Sequence, residues 1–112
     1  MATRVPVLNV SMLDMTFETE KQFSIQELID SIVFASNNSM KNILSICELP
    51  LVSSDFNHND SSSIFDLNHI YQIGNQTKIL AWYDNEWGFS KRMLEMSLYI
   101  KNISSISLKE IA

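Results

Sequence analysis

The groups in this 112-residue chain that could do chemistry are few, and the most suggestive lie together in LAWYDNEWGFSKRML, Leu80 to Leu94. A strand-like run of apolar and aromatic residues is broken there by Asp84-Asn85-Glu86 before a helical spacing begins. A short carboxylate or amide at such a break either accepts from the free N–H groups of the next helix or presents its polar atoms to a ligand. On the residues alone, the cap is the simpler role for Asp84 or Asn85.

The other constellations are weaker. His58 stands near Asp55 and Asp60 in DFNHND, a set that could in principle bind a metal but reads better as a solvated turn. His69 is isolated at the start of a strand and reads as structural, and no serine sits in a nucleophile elbow or at the spacing of a triad. Cys47, the single cysteine, has no partner for an internal disulfide and no base beside it in LSICELP, so a buried structural thiol is expected. Gly74 and Gly88 are the only glycines, which leaves no phosphate-cradling loop, and there is no second cysteine for a metal knuckle. No catalytic residue and no metal ligand is assigned.

These groups must be held by elements that the patterning predicts. RVPVLNVSMLDMTFET, Arg4 to Thr19, is rich in apolar and β-branched residues and predicts one long strand that enters the sheet after Pro6, with one end covered on both faces. Ser24 and Glu27 are spaced as a capping box and Phe23 and Leu28 as a hydrophobic staple, so a helix starts at Ile25. Its stripe of Ile25, Leu28, Ile29, Ile32 and Val33 reads as core. Short strands are expected at NILSICE, LVSSDF, SIFD and HIYQI, and a longer one at TKILAWY after Gly74-Asn75. From Trp87 to about Ile103 a wide apolar face predicts a final helix buried on more than one side.

The order strand, helix, several strands, helix gives an α+β domain with a mixed, largely antiparallel sheet and packed helices. Hydrophobic residues at 46% and charged residues at 19% suit a globular chain and argue against disorder. A net charge of -5, with eight scattered basic residues, lacks the field that nucleic acid demands. No apolar run approaches the roughly 20 residues of a membrane span, and the first residues lack a secretory segment, so no membrane partner and a cytoplasmic location are expected.

Three stretches carry the reading further. RVPVLNVSMLDMTF, LVSSDFNHNDSSSIFD and WYDNEWGFSKRM resemble, in order and over nearly the whole chain from Arg4 to about Ile100, the C-terminal part of the catalytic domain in the glyceraldehyde-3-phosphate dehydrogenase family. CELPLVSSDFNH followed by NEWGFSKRML is most similar to the erythrose-4-phosphate dehydrogenase branch.

The resemblance implies a role for two side chains. Asn85 matches the asparagine whose amide binds the nicotinamide carboxamide of NAD, a group offering the same donors and acceptor. Arg4 matches the arginine of Arg-Val-Pro that contacts the substrate phosphate, for which a guanidinium makes a planar, permanently charged fork. In the family the nucleophilic cysteine, its histidine and the Rossmann NAD-binding domain lie upstream of the matching region, and Cys47 falls where relatives carry a tyrosine-threonine pair. Residues 1–112 are therefore expected to be a partial C-terminal catalytic domain without that NAD-binding domain, roughly the last third of an enzyme.

The family enzymes are homotetramers that add a phosphorylated aldose to cysteine, pass hydride to NAD, and release the acyl group to water in the erythrose branch or to phosphate in the glycolytic branch. The chain is thus expected to be a fragment of an enzyme oxidising D-erythrose 4-phosphate to 4-phosphoerythronate, toward pyridoxal 5'-phosphate. The alternatives are a glyceraldehyde-3-phosphate dehydrogenase fragment and a noncatalytic interaction module that retains the fold.

Overall fold

The computed structural model describes the backbone of residues 2–110 and the side chains of 2–103. Strand β1 (Ser11–Glu18), helix α1 (Ile25–Asn37), strands β2 (Leu44–Cys47), β3 (Ser63–Ile73) and β4 (Gln76–Tyr83), and helix α2 (Asn85–Glu110) follow in order. The strands form one sheet in the order β1-β4-β3-β2. β4 pairs antiparallel with β1 and β3, whereas β2 lies parallel to β3, giving the mixed α+β architecture.

β1 begins later than its composition predicts. Val10 adopts φ 70, a left-handed conformation that a β-branched residue rarely takes, and this turns the chain before pairing starts at Ser11 opposite Tyr83. The turn drops the Val10 side chain into the core with Cys47, Phe56 and Ile64, and that burial offsets the strain. Beyond it β1 is an edge strand. Met12, Leu13 and Met15 are exposed, so neither face is covered as the alternation suggests.

The capping box forms as its spacing predicts: the Ser24 N–H donates to Glu27 Oε2 at 2.7 Å, and the Glu27 N–H donates to Ser24 Oγ at 3.2 Å. α1 starts at Ile25. Its apolar stripe is only half-buried, with Ile25 itself exposed, where α1 lies along β2 and β3. It flanks the core rather than forming it.

LVSSDF is not a strand but carries a 3-10 turn, Ser53–Phe56. Asp55 Oδ2 accepts from the Val52 N–H at 2.8 Å, a local bond that competes with strand pairing. The turn swings Phe56 inward to stack on Trp82, with ring centroids 5.4 Å apart.

SIFD and HIYQI are halves of one strand, β3, joined by a register shift between Asp66 and Tyr71. Asp66 organises this bulge. Buried at 2% exposure, it accepts from Trp82 Nε1 at 3.1 Å and the Asn68 N–H at 3.0 Å, and His69 Nδ1 lies 2.9 Å from its Oδ2. Burial pushes its carboxyl up, but the Trp82, His69 and Asn68 donors together outweigh burial and hold it below the ordinary aspartate value. A depressed folded pKa gives stability that is present above the unfolded value, near pH 4, and lost as pH falls through the folded value. The wild-type urea midpoint is therefore expected to fall between pH 5 and pH 2 more steeply than that of Asp66→Asn. Parallel curves would remove Asp66 from the acid transition.

α2 leaves the sheet at its first turns and runs on for about 39 Å at 1.5 Å per residue. Phe89, Met93, Leu94, Met96, Leu98 and Tyr99 are all exposed, so the expected burial on more than one side is not present. No helix among the described residues is long and apolar enough to cross a membrane.

Candidate functional site

The break between β4 and α2 is where the chain's distant polar segments meet. Asp84, 2% exposed, divides its carboxylate between two tasks. Oδ1 accepts from the Trp87 N–H at 3.3 Å, capping α2, while the Asp84 carbonyl accepts from the Gly88 N–H at 2.9 Å. Oδ2 reaches across the fold, accepting from Asn9 Nδ2 at 2.8 Å and from the His58 N–H at 2.9 Å. Asn9 Nδ2 also lies 2.7 Å from Asn57 Oδ1, so residues 9, 57, 58, 84 and 87 form one network.

The loop between β2 and β3 is braced against α2 by side chains as well. Trp87 Nε1 donates to Asp60 Oδ1 at 2.7 Å, and Lys91 Nζ lies 2.9 Å from Asp60 Oδ2. Lys91 and then Trp87 hold the Asp60 carboxyl below its ordinary value. The His58 ring stacks on Trp87 with centroids 4.4 Å apart, and a backbone φ of 59 turns it there. His58 thus stacks within a turn, and among the described residues no group of three or more histidine, cysteine or acidic side chains is placed to hold a metal. Gly88 allows this close packing, since a Cβ there would meet the Ser61 carbonyl oxygen tightly, at 3.2 Å.

Asn85 is the first residue of α2, directly after the buried carboxylate. Its side chain is exposed, and its amide makes no hydrogen bond among the described residues. A donor-acceptor group is thereby fixed by the helix start yet left available. Arg4 is exposed in the segment that Asn9 anchors, and its guanidinium has no ion-pair partner among the described residues. The Asn9–Asp84 hydrogen bond joins the segment that carries Arg4, at its Asn9 end, to the start of α2, where Asn85 stands. Sequence reading missed Asn9 and Asn57 and saw in Asp84 a cap or a ligand group rather than a tie across the fold; the one available signal was a lone asparagine in the apolar run VPVLNVSML.

Cys47 is buried at 6% exposure, and its thiol donates to the Leu49 carbonyl at 3.1 Å. The open depression of about 510 Å³ beside it is lined by no histidine, lysine or arginine. A nucleophilic cysteine needs a basic side chain or cation beside it, and that lining offers none. The 112-residue chain is expected to form no NADH from erythrose 4-phosphate or glyceraldehyde 3-phosphate in a spectrophotometric assay. Turnover abolished by Cys47→Ala would overturn this assignment.

Residues 1–85 match the family model described as glyceraldehyde 3-phosphate dehydrogenase, C-terminal domain. The chain belongs to the glyceraldehyde-3-phosphate dehydrogenase family. It is 48% identical over 98 residues to the glyceraldehyde-3-phosphate dehydrogenase of Pseudomonas aeruginosa, covering 88% of this chain and 29% of that protein. Identity to the chromosomal glyceraldehyde-3-phosphate dehydrogenase of Cupriavidus necator is 43% over 97 residues, covering 87% of this chain and 29% of that protein. With the glyceraldehyde-3-phosphate dehydrogenase of Cochliobolus heterostrophus it is 42% over 104 residues, covering 92% and 31%. The chain thus spans 29–31% of the length of these relatives. The match ends at Asn85, so it takes in Arg4, Asn9, the 57–60 loop and Asp84, the segments that the hydrogen bonds join. Membership of a dehydrogenase family whose members use NAD gives the polar network its context.

Proposed function

We propose that this chain supplies the nicotinamide-orienting and phosphate-binding groups of an NAD-dependent dehydrogenase acting on phosphorylated aldoses. The observation that carries this reading is the exposed, uncommitted amide of Asn85, set at the start of α2 by the buried Asp84. An amide held there offers a donor and an acceptor to the nicotinamide carboxamide and fixes which ring face is presented. NAD, when bound, supplies the hydride acceptor. Arg4 offers a forked cation to the substrate phosphate, so that Asn85 orients one reactant and Arg4 the other.

Within this class we assign the four-carbon substrate, erythrose 4-phosphate, on the Leu49-Pro50-Leu51 and His58 pattern of CELPLVSSDFNH. The three-carbon reading is favoured by the relatives, which are named glyceraldehyde-3-phosphate dehydrogenases. The test grafts residues 4–103 in place of the matching segment of the Pseudomonas aeruginosa relative and measures NAD reduction with both aldoses. The graft is expected to reduce NAD and to raise the ratio of kcat/KM for the four-carbon over the three-carbon aldose. An inactive but folded graft would overturn the dehydrogenase reading, and an unchanged ratio would return the three-carbon one. In the active graft, Arg4→Ala should weaken phosphorylated substrates by about 1.5–3 kcal/mol, the range for charge-assisted hydrogen bonds, and spare unphosphorylated aldehydes. Equal losses for both would remove Arg4 from the phosphate site.

A further inference from the structure

We propose that Asp84 is a positioning residue that sets Asn85 and the Arg4-bearing segment in fixed relation to one another; this rests on the function proposed above. The geometry divides its two oxygens. Oδ1 faces the helix it caps, at Trp87, and a cap needs no more than that. Oδ2 faces two donors from elsewhere in the chain, Asn9 Nδ2 and the His58 N–H, 75 and 26 residues away in sequence. A helix cap alone does not call for the second oxygen, and the buried carboxylate is met by hydrogen bonds, with no cationic partner among the described residues.

Each arm of Oδ2 leads to a group with a role in the site. Asn9 sits immediately before Val10, whose positive φ turns the chain ahead of β1, so holding Asn9 fixes the point at which the segment carrying Arg4 joins the sheet. His58 stacks on Trp87, whose N–H is the one that Oδ1 caps, so the 57–60 loop and the first turn of α2 are closed into a ring around the carboxylate. Asn85 is the next residue along the chain from Asp84 and inherits its placement. A shift of Asp84 therefore moves the nicotinamide-facing amide and the phosphate-facing segment together.

Asp84→Asn separates the tie from the cap. An asparagine can still turn its one oxygen toward the Trp87 N–H, but its NH2 then faces two donors. In the 112-residue chain, hydrogen exchange is expected to quicken at the His58 amide by roughly tenfold to a hundredfold, the loss of a charge-assisted hydrogen bond at tenfold per 1.4 kcal/mol, while the Trp87 amide changes little. Equal quickening at both amides, or none at His58, overturns the division of labour. In the active graft, Asp84→Asn is expected to raise KM for NAD and for the phosphorylated aldose together, and the double change Asp84→Asn with Asn9→Asp, which reverses amide and carboxylate across the Asn9 arm, to recover the aldose KM in part. Unchanged KM values with only less folded protein would make Asp84 a purely structural residue and overturn the proposal. An inactive parental graft would instead overturn the function on which the proposal rests, leaving the exchange result to decide the tie itself.

Discussion

Phe56→Ala is expected to remove about 3–5 kcal/mol of stability, the cost of truncating a buried aromatic residue. Phe56 is 4% exposed and packs with Val10, Cys47 and Ile64, with Leu51 and Trp82 against that cluster. Its ring also lies nearly parallel to that of Trp82, at 20°, which adds about 0.5–1.5 kcal/mol beyond area burial. Small domains have only about 5–15 kcal/mol in total, so this one change takes a large share. Urea unfolding followed by tryptophan fluorescence would measure it, with Phe34→Ala, at an exposed site on α1, expected to stay within about 0.5 kcal/mol of wild type. A loss below about 1 kcal/mol for Phe56→Ala would show that the 3-10 turn does not seat this ring in the core.

The second large effect is expected in α2. Its first turns are held by the Asp84 cap, by Asp60 on Trp87 and Lys91, and by Arg92, whose guanidinium donates to the Asn42 carbonyl at 3.0 Å. Beyond them Met93, Met96 and Leu98 are 55–60% exposed, and a helix without a packed face is marginal in water. Amides from Met93 to Ile103 are expected to exchange about a thousandfold faster than those of Ile64–Asp66 in β3 and Ile79–Ala81 in β4, a difference of about 4 kcal/mol between local and global opening. Slow exchange along α2 in a dilute monomer verified by sedimentation would show that this face is buried within the chain. Protection that rises with protein concentration would show that association covers it.

The capping box at Ser24 and Glu27, the start of α1 at Ile25 and the strand at TKILAWY were legible because each is set by residues within a few positions of one another. Periodicity, cap chemistry and the Gly74-Asn75 turn, where Gly74 takes φ +62, are local properties that a sequence displays directly. The α+β class followed from the order of those elements, and the burial of Cys47 from its apolar neighbours.

What the sequence did not decide is what depends on contacts between distant residues. β-Propensity made one long strand of residues 4–19, but Val10 turns out of the strand because its side chain gains a place in the core between β2, β3 and the 3-10 turn. The run LVSSDF has strand composition, yet Asp55 bends it into the turn that seats Phe56. An apolar stripe shows that a face can be buried, not that a partner is present, and so α1 is half-buried and α2 bare. The site divides in the same way. Residue types alone place a helix cap at Asp84 or Asn85 and the resemblance gives the Asn85 amide its role, whereas the tie from Asp84 to Asn9 and His58 exists only once β1 lies beside β4 and the 57–60 loop folds against α2. Hydrogen bonds between residues 75 and 26 positions apart leave no periodic trace in a sequence, because the geometry that makes them is created by the packing of everything between.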